Sequence, residues 1–311
     1  MLALSDITPL HWGGFIAAVL VLLALDLGVF HKEGRVVSFK EALGWSVLWF
    51  SLALCFAWGL VPFRGREEAV EFITGYVIEL SLSMDNVFVI ALIFAYFRVP
   101  AQYQHRVLFW GILGALVMRG VMIGLGTAVI ARFQWLLYLM GAFLVYSGFK
   151  VLCTRDEGVE PEKNPFIKLA RKFFPITPEF EGQRFLSRVE GRRALTPLAL
   201  VLVMVETTDL VFAVDSIPAI FAITLKPFII FTSNVFAILG LRSLYFVLAG
   251  AIRFFRFLKA GLSLVLIFIG LKMLLMYFQI HIATGVSLGV VASIIITSIL
   301  LSVVASRRTA T

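Results

Sequence analysis

The sequence predicts an all-α, polytopic membrane protein of about nine transmembrane helices, and three observations carry that prediction. Of the 311 residues, 60% are hydrophobic and only 15% are charged. A soluble domain is closer to half apolar and a quarter charged. Apolar stretches of about 18 or more residues recur along the chain, each long enough to cross a hydrocarbon core of about 30 Å as a helix. None of these stretches alternates with period two, as the strands of a closed barrel would; such a barrel is the other backbone arrangement that satisfies its polar groups in lipid.

The stretches cover about 12–30, 43–61, 69–97, 107–130, 134–152, 197–224, 228–252, 260–279 and 285–305. The first carries Asp26 and has no small-residue cleavage site, so it reads as a retained helix and not a removed signal. With the N-terminus outside, twenty of the 27 Lys and Arg residues fall on inner segments, ten of them between Lys150 and Arg193. The outer segments hold only Arg64, Arg66, Arg132 and Lys226. Positive charge collects on the cytoplasmic side of membrane proteins, which predicts an outside N-terminus and a cytoplasmic C-terminus. The net charge of +8 therefore reflects topology, and a nucleic-acid partner has no support. Cys55 and Cys153 form no disulfide or thiolate-metal pattern.

One long polar segment, 153–196, divides the chain into two membrane halves. It contains "PFIKLARKFF" at 165–174, where apolar and basic residues alternate at helical spacing. That pattern fits either a short helix resting on an anionic leaflet or a solvated linker. The segments 69–152 and 197–279 look like copies of each other. "DNVFVIA" at Asp85 matches "DLVFAVD" at Asp209, "GILGALVMRG" matches "NVFAILGLRS" so that Arg119 pairs with Arg242, and "YSGFKVL" matches "FIGLKML" so that Lys150 pairs with Lys272. The spacings are 34 and 31 residues in one copy and 33 and 30 in the other. Each copy holds three spans, spans 3–5 and 6–8, and an odd number forces opposite orientation. This predicts an inverted 3+3 repeat, with residues 12–61 as peripheral spans and 285–305 as the last helix, the organisation used by secondary transporters.

Five carboxylates fall well inside the repeated spans: Glu79, Asp85, Glu206, Asp209 and Asp215. An ionised carboxylate at that depth costs at least about 2.5–3.5 kcal/mol, so each needs a cation or a proton. One answer is internal neutralisation by Arg119, Arg242 and Lys272; three positive charges against five negative leave room for a second, a bound cation. Asn86 and Asn234 offer neutral oxygens, as do the hydroxyls of Thr207, Thr208 and Ser216. Pro218 removes the helical donor to the carbonyl of Val214, which predicts an opened helix beside Asp215. These are all hard oxygen ligands, which suit magnesium, calcium or manganese better than zinc or copper. The candidate metal set is Glu79, Asp85, Asn86, Glu206, Asp209 and Asp215, supported by Ser216, Pro218, Asn234, Arg119, Arg242 and Lys272. No nucleophile–His–acid set or phosphate-binding glycine loop is present in the sequence, so the expectation is not an enzyme and not an ATP-driven pump, with no prosthetic cofactor.

"GYVIELSLSMDNVFV" (75–89), "VETTDLVFAVDSIPAIFAIT" (205–224) and "TSNVFAILGLRSLYF" (232–246) resemble the TerC family of integral membrane proteins, in its Alx-like branch within the LysE-type exporter superfamily. The resemblance runs over essentially the whole chain. It implies a bacterial inner-membrane protein, and manganese(II) efflux by alternating access, with protons as a coupling ion. It also implies alternatives: a role in tellurite or pH stress as a redox modulator, or metal loading and insertion of exported proteins. Two unpaired cysteines and no flavin, quinone or haem signature argue against direct redox chemistry.

Overall fold

The computed structural model describes residues 7–30, 38–153, 164–189, 192–249 and 257–308. The chain is almost entirely helical: α1 (Pro9–Phe30), α2 (Phe39–Arg64), α3 (Arg66–Tyr96), α4 (Ala101–Arg132), α5 (Leu136–Cys153), α6 (Pro165–Phe173), α7 (Pro197–Phe221), α8 (Pro227–Ala249), α9 (Leu258–Leu275) and α10 (Thr284–Arg308). A two-stranded antiparallel hairpin, β1 (Leu186–Val189) and β2 (Arg192–Leu195), precedes α7. Among the described residues, eight helices, α2–α5 and α7–α10, are long and apolar enough to cross a membrane. α1 falls on the first of the nine expected spans.

Local chemistry sets the helix limits. Ser38 caps α2 by accepting from the Glu41 N–H, and Thr196 caps α7 ahead of Pro197 at its first position. Both use a side-chain oxygen to satisfy an otherwise orphaned N–H. A single residue, Gly65 at φ +90°, turns the chain from α2 into α3, a backbone conformation open mainly to glycine. At 1.5 Å per residue, α3 and α4 are each about 46–48 Å long. That exceeds the hydrocarbon thickness, so both extend beyond it or tilt.

α8 lies at the centre of the bundle, packed against α2, α3 and α4, while α2, α5 and α10 turn most of their surface outward. Exposed leucines, valines and aromatics on these outer helices, such as Val47, Leu54, Leu139 and Leu300, are what a lipid-facing surface requires. α5 and α9 pack closest of all, through glycines. A Cβ at Gly141 would lie 3.1 Å from the Gly270 carbonyl, and one at Gly148 would lie 2.8 Å from the Ser263 carbonyl. The two helices therefore run antiparallel. Under the sequence alignment, Gly148 is the mate of Gly270 and Gly141 the mate of Ser263, so the two contacts exchange. That is the pattern an inverted repeat produces at one helix pair.

Candidate functional site

The polar centre is built around Arg119. It sits midway along α4 and is only 2% exposed. Its guanidinium reaches three helices. Nη2 donates to Asp209 Oδ1 of α7 at 2.7 Å and Nε to Asp209 Oδ2 at 3.1 Å. Nη1 donates to Glu79 Oε1 of α3 and lies 3.4 Å from Asn234 Oδ1 of α8 and 3.5 Å from Ser216 Oγ of α7. The planar fork of arginine suits this, because it offers several donors in fixed directions. Asn86, one residue after Asp85 in α3, donates from Nδ2 to Asp209 Oδ1 at 3.1 Å. Both oxygens of Asp209 thus accept from protein donors.

Beside this network lies a small cavity of about 40 Å³, lined by Glu79, Leu82, Asp85, Asn86, Arg119, Val151, Phe212, Asp215, Ser216, Leu262 and Leu266. It has room for a water or a small ion. Two of the oxygens around it are unusual: Glu79 Oε2 and Asn86 Oδ1 are buried and, among the described residues, have no hydrogen-bond partner. Both are acceptors. A buried acceptor without a donor is costly unless a cation or water completes it. Asp215 Oδ1 accepts from Ser147 of α5 at 2.9 Å, so α5 also contributes to the wall.

The structure therefore sorts the predicted residues. Glu79, Asp85, Asn86, Asp215, Ser216 and Arg119 line one cavity. Asp209 touches the same network through Arg119 and Asn86. Glu206 stands elsewhere, against α4, where a Cβ on Gly114 would overlap its carboxylate. Among the described residues, no three or more His, Cys, Asp or Glu side chains are arranged as a ready metal cluster. The six-residue set is thus not gathered into a preformed ligand shell. Arg119 forms ion pairs with both Glu79 and Asp209. Arg242 is buried in α8, its Nη1 3.3 Å from His105 Nε2. Lys272 is buried in the last turn of α9.

Two expectations are corrected. α7 is not opened at Pro218: it is continuous from Pro197 to Phe221. Pro218 lies in the last turn, where buried Ile217, Ala219, Ile220 and Phe221 hold the helix in place, and its ring lines an apolar groove with Met122, Gly126, Phe143 and Phe221. Thr207 and Thr208 also do not line this cavity; their hydroxyls donate to the carbonyls of Val203 and Met204 at 2.6 and 2.8 Å.

A second charged network was missed by the sequence reading. Glu68 binds Arg64 at 2.7 Å, while Lys226, on the turn between α7 and α8, lies 3.3 Å from Glu68 and 3.2 Å from Glu71. Thr224 donates to Glu71 Oε2 at 3.0 Å. Glu68 and Glu71 sit near a span end, where a charged residue attracts no notice. The signal was available in the polar "TLK" at 224–226. Cys55 and Cys153 are both free and exposed.

Eight bilayer-length helices around a buried, charged and partly unsatisfied centre define a polytopic integral membrane protein. The chain belongs to the TerC family: residues 64–310 match the model of the integral membrane protein TerC family. It is 53% identical over 304 residues to "Uncharacterized membrane protein STKORF319" of Myxococcus xanthus, covering 98% of this chain and 95% of that protein. It is 47% identical to the Salmonella typhi protein named "Putative membrane-bound redox modulator Alx", over 93% of this chain and 92% of the relative. The Escherichia coli K12 protein of the same name is 45% identical over 95% and 94% of the two chains. No solved structure matches the chain.

Proposed function

We propose that the protein exports a divalent metal cation, manganese(II) first among the candidates, from the cytoplasm across the bacterial inner membrane by alternating access. The observation that carries this reading is the pair of unsatisfied buried acceptors, Glu79 Oε2 and Asn86 Oδ1, on residues that line one cavity together with Asp85 and Asp215. These are hard oxygen donors, and they favour a hard divalent ion. The preference for manganese within that class rests on the family resemblance.

In this reading Arg119 is the internal counter-ion of the empty transporter. It neutralises Glu79 and Asp209 when no metal is present. An entering cation competes for the same carboxylates, so loading is coupled to release of the guanidinium from at least Glu79. Proton exchange at Asp85 and Asp215 balances charge on the return step. Asp209 and Asp85 are repeat mates, which gives each half of the proposed repeat one acid at the centre.

The test is metal flux with purified protein in liposomes. Wild-type protein should move Mn²⁺ faster than protein-free vesicles, and D85N and D209N should fall towards that background. Equal flux in all four preparations overturns the proposal. A panel of Mn²⁺, Mg²⁺ and Ca²⁺ at two pH values then ranks the metals and shows whether protons move with them.

A further inference from the structure

The segment between the two membrane halves has a surface that the polar centre leaves unused. α6 is nine residues long and firmly started: Asn164 Oδ1 accepts from the N–H groups of Phe166 and Ile167 at 2.9 and 3.3 Å, with Pro165 at the first position. One side of it is docked. Ile167 is 1% exposed and belongs to the same apolar cluster as Leu198, Val201, Met204 and Val205 of α7. Asn164 Nδ2 lies 3.3 Å from Met204 Sδ.

These contacts fix where α6 lies along α7. It lies beside the first two turns of a membrane-crossing helix and not beyond its end. From Pro197 to Met204 is about 10 Å of helix axis. That is a few ångström more than the headgroup layer of about 5–8 Å that flanks each side of the hydrocarbon core.

The remaining faces of α6 divide by chemistry. At about 100° per residue, Phe166, Leu169 and Phe173 fall on one stripe, and Lys168, Arg171 and Lys172 fall on the other side. The stripe is 49%, 53% and 68% exposed at its three large residues. Three large apolar side chains held open on a nine-residue helix need a cover. The basic side, in a helix with no acidic residue, selects a negatively charged one. A helix of this pattern at headgroup depth is the form taken by surface-lying amphipathic helices.

We propose that α6 is an interfacial helix that binds anionic phospholipid at the membrane surface where α7 begins. Phe166, Leu169 and Phe173 enter the boundary between headgroups and acyl chains, and Lys168, Arg171 and Lys172 contact the phosphates. Because α6 is packed directly on α7, which carries Glu206, Asp209 and Asp215, the bound lipid holds the cytoplasmic half of that helix in place.

The test uses the full chain with Cys55→Ser and Cys153→Ser and a nitroxide label on Phe173→Cys. It is reconstituted in pure phosphatidylcholine and in an equimolar mixture with phosphatidylglycerol. The label should be accessible to oxygen and shielded from a water-soluble nickel complex, with greater shielding in the anionic liposomes. Lys168→Gln, Arg171→Gln and Lys172→Gln together should remove the difference between the two lipids. A label on Leu169→Cys gives an independent reading should the Phe173 variant fold poorly. A label open to nickel in both lipids places α6 in water and overturns the proposal. So does a label immobilised and closed to both reagents in detergent without lipid, which identifies a protein partner instead.

Discussion

Arg119 of α4 grips Asp209 of α7 with two hydrogen bonds, at 2.7 and 3.1 Å, while the same guanidinium donates to Glu79 of α3. One buried cation thereby ties together helices from both membrane halves. Removing it leaves two buried carboxylates unpaired, and breaking such a pair costs about 3–5 kcal/mol. Arg119→Met should therefore lower the unfolding stability of the detergent-solubilised protein by about that much. Arg119→Met combined with Glu79→Gln and Asp209→Asn should recover part of the loss, because no unpaired charge remains. If the single variant is as stable as wild type, the centre is not held in this way.

Glu206 lies against Gly114, where any Cβ would overlap its carboxylate. Gly114→Ala must therefore move Glu206 or part α4 from α7. The obstacle is the free end of a flexible side chain, so Glu206 swings aside at little cost in stability. Gly124, also in α4, has nothing within 4 Å of a built Cβ, so Gly124→Ala is the matched control. The first substitution should lower Mn²⁺ flux by displacing Glu206 while leaving thermal stability nearly unchanged, and the second should change neither. Equal behaviour of the two removes any special role for the Gly114–Glu206 contact.

The α5–α9 pair tests the proposed repeat. Gly148 faces the Ser263 carbonyl and Gly270 faces the Gly141 carbonyl, with built Cβ atoms 2.8 and 2.6 Å away. The obstruction is backbone in both cases, which cannot swing aside. Gly148→Ala and Gly270→Ala should each be destabilising, by similar amounts of about 1–3 kcal/mol, since the alignment makes them mates. Thermal unfolding of the two variants in detergent gives the comparison. A marked inequality between them counts against an approximate two-fold at this contact.

Helix positions were legible in the sequence because they follow from long apolar runs. The residues of the polar centre were legible because charge within such runs is rare and costly. Their pairing was not. Glu79 and Asp209 are far apart in the chain, and only the crossing of α3, α4 and α7 brings both to Arg119. Pro218 misled because losing one donor does not open the helix: the Ala222 N–H still reaches the Pro218 carbonyl at 3.2 Å, and buried Ile217, Ala219, Ile220 and Phe221 hold the turn. Thr207 and Thr208 misled because their place on α7 keeps them off the cavity lining, while each hydroxyl donates to the carbonyl four residues back. The Lys226 network escaped notice because charges at a span end are ordinary.

Lys226 carries the last prediction, on pH. It lies on the turn between α7 and α8, outside the membrane-spanning segments. Burial lowers its pKa, but the hydrogen bond and charge of Glu71 and the charge of Glu68 outweigh that, leaving it raised above the ordinary 10.5. The folded protein thus holds this proton more tightly than the unfolded chain does. Its contribution to stability is complete below about pH 10.5, the unfolded value, and is lost as pH rises through the folded one. The side chain is 42% exposed, so solvent screening keeps the effect to about 1 kcal/mol or less. Thermal unfolding followed from neutral to strongly alkaline pH should show wild-type protein losing stability more steeply than Lys226→Met above about pH 10.5. Glu71→Gln should reduce the same alkaline slope. Parallel curves for all three proteins show that the turn between α7 and α8 is not held to α3 by this charge.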